Sequence, residues 1–492
     1  MISSAHALLW KYLNQLKALM YSETVSVGMF SIATLYIGPN KVFLLFLTIL
    51  LFVLYRQTKN FYSTVWFTFL STLLSTSGRH FFQVVLHGTE WSGGYDLYLT
   101  KSFLFNDFLL ILLIYYIVTR KTLIEKVKRA LTINTSIVIS LAIFFFTVFL
   151  STFQSAFPSV SMYYFFQNAK MILIFFVSVL SFSDEKIRNR SMQIMLLLVI
   201  FNCVLIVAQK FNGGPLGFVL EDHSSSYGWY ADENPELFRP GGMFSDPNLA
   251  ATLISCTLPF LIIKLFSKKN ASYRPLIMSI ILILTLALIF TASRTAWLVT
   301  LITFSIILKM NYSFDEIKLF IRKYLLFIAV PFLLLSPMIV TRMLTLFGAF
   351  GELGGGTFRL DHIRVGFHYM LREPFGIGPG TFMYRMALDF PPGDSGLMPM
   401  FPHNILAEIG SEFGLIGLIT FLVFCMLLVK LQLQNWKELQ SECSLAILTI
   451  FIVFVLLCQF FPWFINPRTA SWFWIISAFV VSSREKSKRK IN

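Results

Sequence analysis

Arginines on glycine-rich turns, a histidine at a helix start and carboxylates inside apolar sequence are the residues of this chain that could do chemistry. The segment Arg239-Pro240-Gly241-Gly242-Met243-Phe244-Ser245-Asp246-Pro247-Asn248 leads directly into an apolar run. Asp246 suits the N-cap and Pro247 the first helical position, so a helix starts here with its unsatisfied N–H groups at a surface. Such groups attract anions, and an arginine just upstream can fold back to the same place. The competing reading pairs Arg239 with Glu233 or Glu236 in the same loop.

A second helix opens at Phe401-Pro402-His403-Asn404. The positive end of the helix dipole disfavours imidazolium there and leaves a neutral ring able to take a proton, as a general base must. Asn404, Glu408, Ser411 and Glu412 follow on one helical face, and carboxylates at membrane depth need a function or a partner. The alternative is a histidine capping its own helix, with the glutamates paired to arginines. Between the two helix starts, Leu360, Ile363, Phe367, Met370 and Leu371 recur at helical spacing, with Arg359, Arg364, His368 and Arg372 on other faces. An interfacial helix with snorkelling basic residues accounts for that pattern without chemistry. Gly376-Ile377-Gly378-Pro379-Gly380 follows no strand and reads as a turn, not a nucleotide loop.

The elements that must position these residues are membrane helices. The 492 residues carry 40 Lys+Arg against 25 Asp+Glu, yet only 13% are charged, 56% are hydrophobic and the mean hydropathy is +0.71. That excludes a soluble nucleic-acid-binding protein. Apolar runs at 22–38, 40–55, 61–78, 103–119, 131–150, 160–181, 192–209, 247–266, 275–292, 295–309, 324–341, 404–429, 444–462 and 469–482 predict an all-α polytopic protein of about 14 spans, within a range of about 12 to 14. A single helix over 275–309 would be about 52 Å long against a hydrocarbon core of about 30 Å, so the chain must turn near Ser293-Arg294-Thr295. Segments 1–21, 56–60, 120–130, 182–191, 264–274, 309–323, 430–443 and 483–492 hold 27 basic and 8 acidic residues, leaving 13 and 17 for the rest. The positive-inside rule makes them cytoplasmic, with both termini inside and the longest loops, 210–246 and 342–403, outside. The whole chain, 1–492, is expected to be one membrane domain. The five cysteines contain no CxxC pair, and neither a zinc site nor a cluster of outer carboxylates for Mg or Mn is expected. Lys170 and Asp107 lie inside spans and either line a path or pair with another helix. Tyr227, Trp229 and Tyr230 could stack on sugar rings or anchor at the interface.

In order, these pieces resemble the O-antigen ligase and Wzy-type O-antigen polymerase superfamily over roughly residues 200–430. His403-Asn404, nine residues, then Gly414 is similar to that family's His-[Asn/Ser/Gln]-x9-Gly motif. Arg239 to Gly242 with Pro247-Asn248 is similar to its Arg-x-x-Gly...Pro-Asn segment, and Ser293-Arg294 to its Ser-Arg hairpin. Arg359 stands before Pro374-Phe375-Gly376-Ile377-Gly378 as the family's second loop arginine does, although the usual Trp after that arginine is missing.

The resemblance implies a cofactor-free transferase of the bacterial inner membrane, GT-C-like in fold, with its site on the periplasmic face. It would move a glycan from undecaprenyl pyrophosphate to a hydroxyl of a glycan or lipid-core acceptor. It implies Arg239 and Arg359 on the pyrophosphate, Arg294 as a third cation or a clamp, His403 as base, and inversion by in-line attack. Asn248, Asn404, Arg364 and Glu412 become expected substrate contacts. Such a site needs no metal, because guanidinium matches phosphate oxygens and keeps its charge. Ligase and polymerase share this donor machinery. A transporter or flippase of anionic cargo is the rival, although polar elements here crowd one face of one half, not both halves.

Overall fold

The computed structural model describes residues 59–75, 80–86, 99–216, 238–244, 246–267, 272–316, 355–390, 400–439, 442–460 and 467–491, with a few isolated residues besides. The chain runs α1 (Phe61–Ser75), β1 (His80–Leu86), β2 (Leu99–Leu104), α2 (Phe105–Val118), α3 (Lys121–Ile133), α4 (Thr135–Gln154), α5 (Pro158–Ser183), α6 (Glu185–Asn212), α7 (Pro247–Phe266), α8 (Arg274–Phe290), α9 (Arg294–Asn311), α10 (Gly355–Arg372), α11 (Phe382–Asp389), α12 (Ile405–Leu439), α13 (Glu442–Leu457) and α14 (Pro467–Ile491). Among the described residues five helices, α4, α5, α6, α7 and α12, are long and apolar enough to span a membrane, and shorter apolar helices accompany them. The expected spans at 22–38, 40–55 and 324–341 lie outside the described residues; each of the others coincides with a helix.

The helical expectation fails at one place. β1 pairs antiparallel with β2 in a hairpin, where His80-Phe81-Phe82-Gln83-Val84-Val85-Leu86 combines aromatic and β-branched residues suited to a pleated surface. The short helix α11 was also unforeseen, because only eight residues separate its ends.

Helix boundaries follow local chemistry. Asp184 caps α6 by accepting from Lys186 N and Ile187 N at 2.8 and 3.2 Å, and α6 ends on Gly213, whose φ of 71° suits a residue without Cβ. Asp246 caps α7 by accepting from Asn248 N at 2.7 Å, with Pro247 in the first turn as expected. The predicted break in 275–309 falls at Thr291–Ser293, where Ala292 takes a φ of 50° between α8 and α9.

The interior is aromatic. Phe175, Phe424, Phe473 and Trp474 pack where α5, α12 and α14 meet, with Phe424 and Trp474 ring centroids 5.6 Å apart. Lipid is as apolar as these side chains, so close packing rather than water release holds the helices together. Several polar groups in the bundle are satisfied locally or across helices: Ser151 donates to Val148 O, and Trp66 donates to Ser191 Oγ at 2.9 Å. Lys170 and Asp107 join α5 to α2 by an ion pair of 3.1 Å, the structural reading of these two residues. Four cysteines, Cys203, Cys256, Cys425 and Cys458, are free and buried.

Candidate active site

The loop carrying Arg239 is fastened to α6. Gln209 spends both ends of its amide on Gly242, donating to the carbonyl at 3.1 Å and accepting from the N–H at 2.8 Å. Asn202 Oδ1 accepts from Met243 N, and Lys210 Nζ donates to Phe238 O. Gly242 has a φ of 68°, and a Cβ there would run into Asn202 Oδ1. This backbone can follow α6 only with glycine at that position.

Arg239 is aimed by two acceptors. Its Nε donates to Thr291 O at 2.9 Å and its Nη2 to Asn248 Oδ1 at 2.9 Å. The α8–α9 turn and the start of α7 therefore hold the same guanidinium. Thr291 is itself staked by its hydroxyl on Leu288 O, which also accepts from Trp297 Nε1 at 2.8 Å. Arg294, the first residue of α9, follows this turn.

On α10, Arg359 and Arg364 part company. Arg364 lies in solvent, its side chain 78% exposed and paired to Asp361 at 3.1 Å. Its ion pair is thus made within its own helix. Arg359 is exposed as well, yet it feels the charges of Arg294 and Asp246. Desolvation, then the charge of Arg294, disfavours its guanidinium, and Asp246 offsets them. Asp246 in turn has its pKa raised by burial, opposed by its hydrogen bond from Asn248 and by the charges of Arg239 and Arg359. Three arginines from three separate elements thus share one electrostatic neighbourhood with a single named carboxylate.

His403 stands in the same neighbourhood. Its pKa is pushed down to about 4 by burial first, then by Arg359 and His362. Its Nδ1 is buried without a hydrogen-bond partner. Capping belongs to the next residue, so the reading in which His403 caps its own helix is corrected. Asn404 Oδ1 accepts from Leu406 N and Ala407 N, both at 3.0 Å, while its amide donates to Gln459 O and Oε1. Both ends of the Asn404 amide are thus used within the chain, and Asn248 Oδ1 is likewise engaged by Arg239.

Glu412 is 2% exposed, and its carboxylate accepts from Gly380 N at 2.8 Å and from Phe382 N at 3.4 Å, which fixes the turn before α11. That turn and the α12 break are one device: Gly414 leaves helical geometry at φ 76° and ψ 177°, Leu415 N reaches Pro374 O at 3.1 Å, and Ile377 N and Gly378 N donate to Ser411 O and Glu412 O. A Cβ on Gly414 would collide with Pro374 O, which explains a glycine separated from Asn404 by nine residues.

The sequence reading missed His362. It is fully buried on α10, one turn beyond Arg359. Its i, i+3 spacing from Arg359 was the available signal, masked by the apolar residues around it. Tyr227, Trp229, Tyr230, Glu233 and Glu236 lie outside the described residues. Among the described residues no group of His, Cys, Asp and Glu could hold a metal ion.

The site adjoins the C-terminal ends of α6 and α8 and the N-terminal ends of α7, α9 and α12, and Lys186, Arg188, Arg190, Lys264, Arg274, Lys309 and Lys437 lie toward the opposite ends of these same helices. A membrane protein with its polar constellation opposite its basic end is the class this geometry defines. Residues 279–422 match the family model described as O-Antigen ligase. That stretch is therefore similar to this family, in agreement with the resemblance drawn from the motifs. The matched stretch includes Arg294, Arg359, the 374–380 turn, His403 and Gly414, while Arg239 and Asn248 precede it. No curated protein matches the chain.

Proposed function

We propose that this protein joins glycans at the outer face of a bacterial inner membrane, taking them from undecaprenyl pyrophosphate and placing them on a hydroxyl acceptor. The observation that carries this reading is that Asp246 feels both Arg239 and Arg359, and that Arg359 in turn feels Arg294 and bears on His403. Like charges held close are relieved by an anion between them, and a diphosphate suits three guanidinium groups.

In the reaction, the acceptor oxygen attacks the anomeric carbon and the carbon–oxygen bond to the pyrophosphate breaks, inverting that centre. The hydroxyl proton passes to His403. The departing pyrophosphate carries the new negative charge, held by Arg239 and Arg359, with Arg294 as third cation. No metal enters, because the arginines supply the charge. Both termini are cytoplasmic on this reading, since the basic helix ends lie opposite the site.

Purified protein in liposomes, given a polyprenyl-pyrophosphate-linked glycan and an acceptor, is expected to yield the joined product with release of the polyprenyl pyrophosphate. Transbilayer movement of the lipid without joining would replace this reading with a flippase. Gene deletion then separates the two transferase roles. Single surface units without long repeats identify a polymerase, and accumulated lipid-linked polymer identifies a ligase.

A further inference from the structure

α10 and α12 run parallel where they touch. A Cβ on Gly366 would meet Ala407 Cβ at 2.9 Å, and one on Gly410 would meet Met370 Sδ at 2.7 Å. Both helices advance together through these contacts. One turn back from the Gly366–Ala407 contact, the same register sets position 362 on α10 beside position 403 at the head of α12. His362 is fully buried there, and Tyr369, further along α10, is buried too.

We propose that His362 is a positioning residue for His403: a second imidazole, seated by this register, that fixes the orientation of the ring beside Arg359. The assignment rests on the transferase reading only in calling His403 a base. The register places positions 362 and 403 side by side whatever the reaction. His362 replaces bulk water on one side of His403, and Arg359 occupies the same helix one turn earlier. The titratable and charged groups around His403 are therefore His362 and Arg359 from α10, Asp246, Arg239 and Arg294 beyond Arg359, Glu408 on α12 itself and Cys458 after α13. Those contributed by α10 are both basic, so the near field disfavours imidazolium.

The test titrates His403 directly in the full-length protein in nanodiscs. Diethyl pyrocarbonate acylates neutral imidazole, and the modified peptide is counted by mass spectrometry across pH. In His362→Gln the midpoint for His403 is expected to move upward by about half a pH unit or more, because the interaction with His362 that lowers it is lost. His362→Asn, of different reach, serves where His362→Gln fails to fold. In transfer assays the same variants are expected to lower kcat several-fold with the donor KM unchanged, as a misoriented base would. An unmoved His403 midpoint in folded variants overturns the proposal. A moved midpoint in a protein that joins no glycan leaves the proposal standing and defeats the transferase reading.

Discussion

Asn248 Oδ1 accepts from Arg239 Nη2 at 2.9 Å, across the loop that ends in the Asp246 cap. The α7 cap and the anion-seeking arginine are thus set by neighbouring residues, Asp246 fixing the helix start and Asn248 the guanidinium. Asn248→Ala leaves the arginine in place but unaimed. Donor turnover is expected to fall about fivefold, as loss of about 1 kcal/mol of alignment predicts, with little change in thermal stability. Arg239→Ala removes the charge itself and should cost about 100-fold or more. Steady-state transfer assays on protein of equal expression check both, and an Asn248→Ala enzyme as impaired as Arg239→Ala would contradict a purely aiming role.

Arg359 and Arg364 give a paired comparison on one helix. Arg364 is exposed and its partner is a surface aspartate three residues away, a pair worth little. Arg364→Ala is therefore expected to keep activity within about twofold. Arg359→Ala should lose about 100-fold, since a cation bearing on the leaving group goes with it. Equal losses in the two variants would remove the basis for choosing between them.

What the sequence made legible follows the physics of each signal. The α8–α9 turn was forced by length against bilayer thickness, and Asp246-Pro247 announced its helix start, so both stood where expected. Motif spacing likewise marked Arg239, Arg359 and His403. It could not say which polar residues act through others. Asn248, Asn404 and Glu412 all resemble ligand contacts in one dimension, yet each spends its side chain on another part of the chain. Those partners are up to tens of residues away, and only tertiary register reveals them. The β1–β2 hairpin was missed because short apolar runs read equally as helix or strand.

Gly414 joins two motifs that the sequence shows separately. Its φ of 76° and the nearness of Pro374 O leave no room for a side chain. Gly414→Ala should separate the α12 break from the 374–380 turn, destabilising the protein by about 1–3 kcal/mol. Activity should fall further than stability alone explains, because the turn also orients α10 and α12. Thermal unfolding in detergent, run beside transfer assays, reads both. A fully stable and active variant would show that the two segments are not mechanically linked.

His403 makes the pH dependence specific. Its folded pKa is depressed from 6.5 to about 4, so between those values the unfolded chain binds a proton that the folded chain does not. Stability contributed by this residue is therefore present above about pH 6.5 and is lost as pH falls toward 4. His403→Gln should flatten that part of the stability profile while abolishing transfer in a protein that still inserts. Catalysis adds a second sign. Arg359 lowers the proton affinity of the empty site, but a bound pyrophosphate offsets that charge, so donor binding must raise the His403 pKa and strengthen the base. The acid limb of kcat/KM reports the free enzyme and that of kcat the loaded one. The kcat limb is accordingly expected at higher pH than the kcat/KM limb. Coincident limbs, or the reverse order, would mean that His403 does not sense the donor through Arg359.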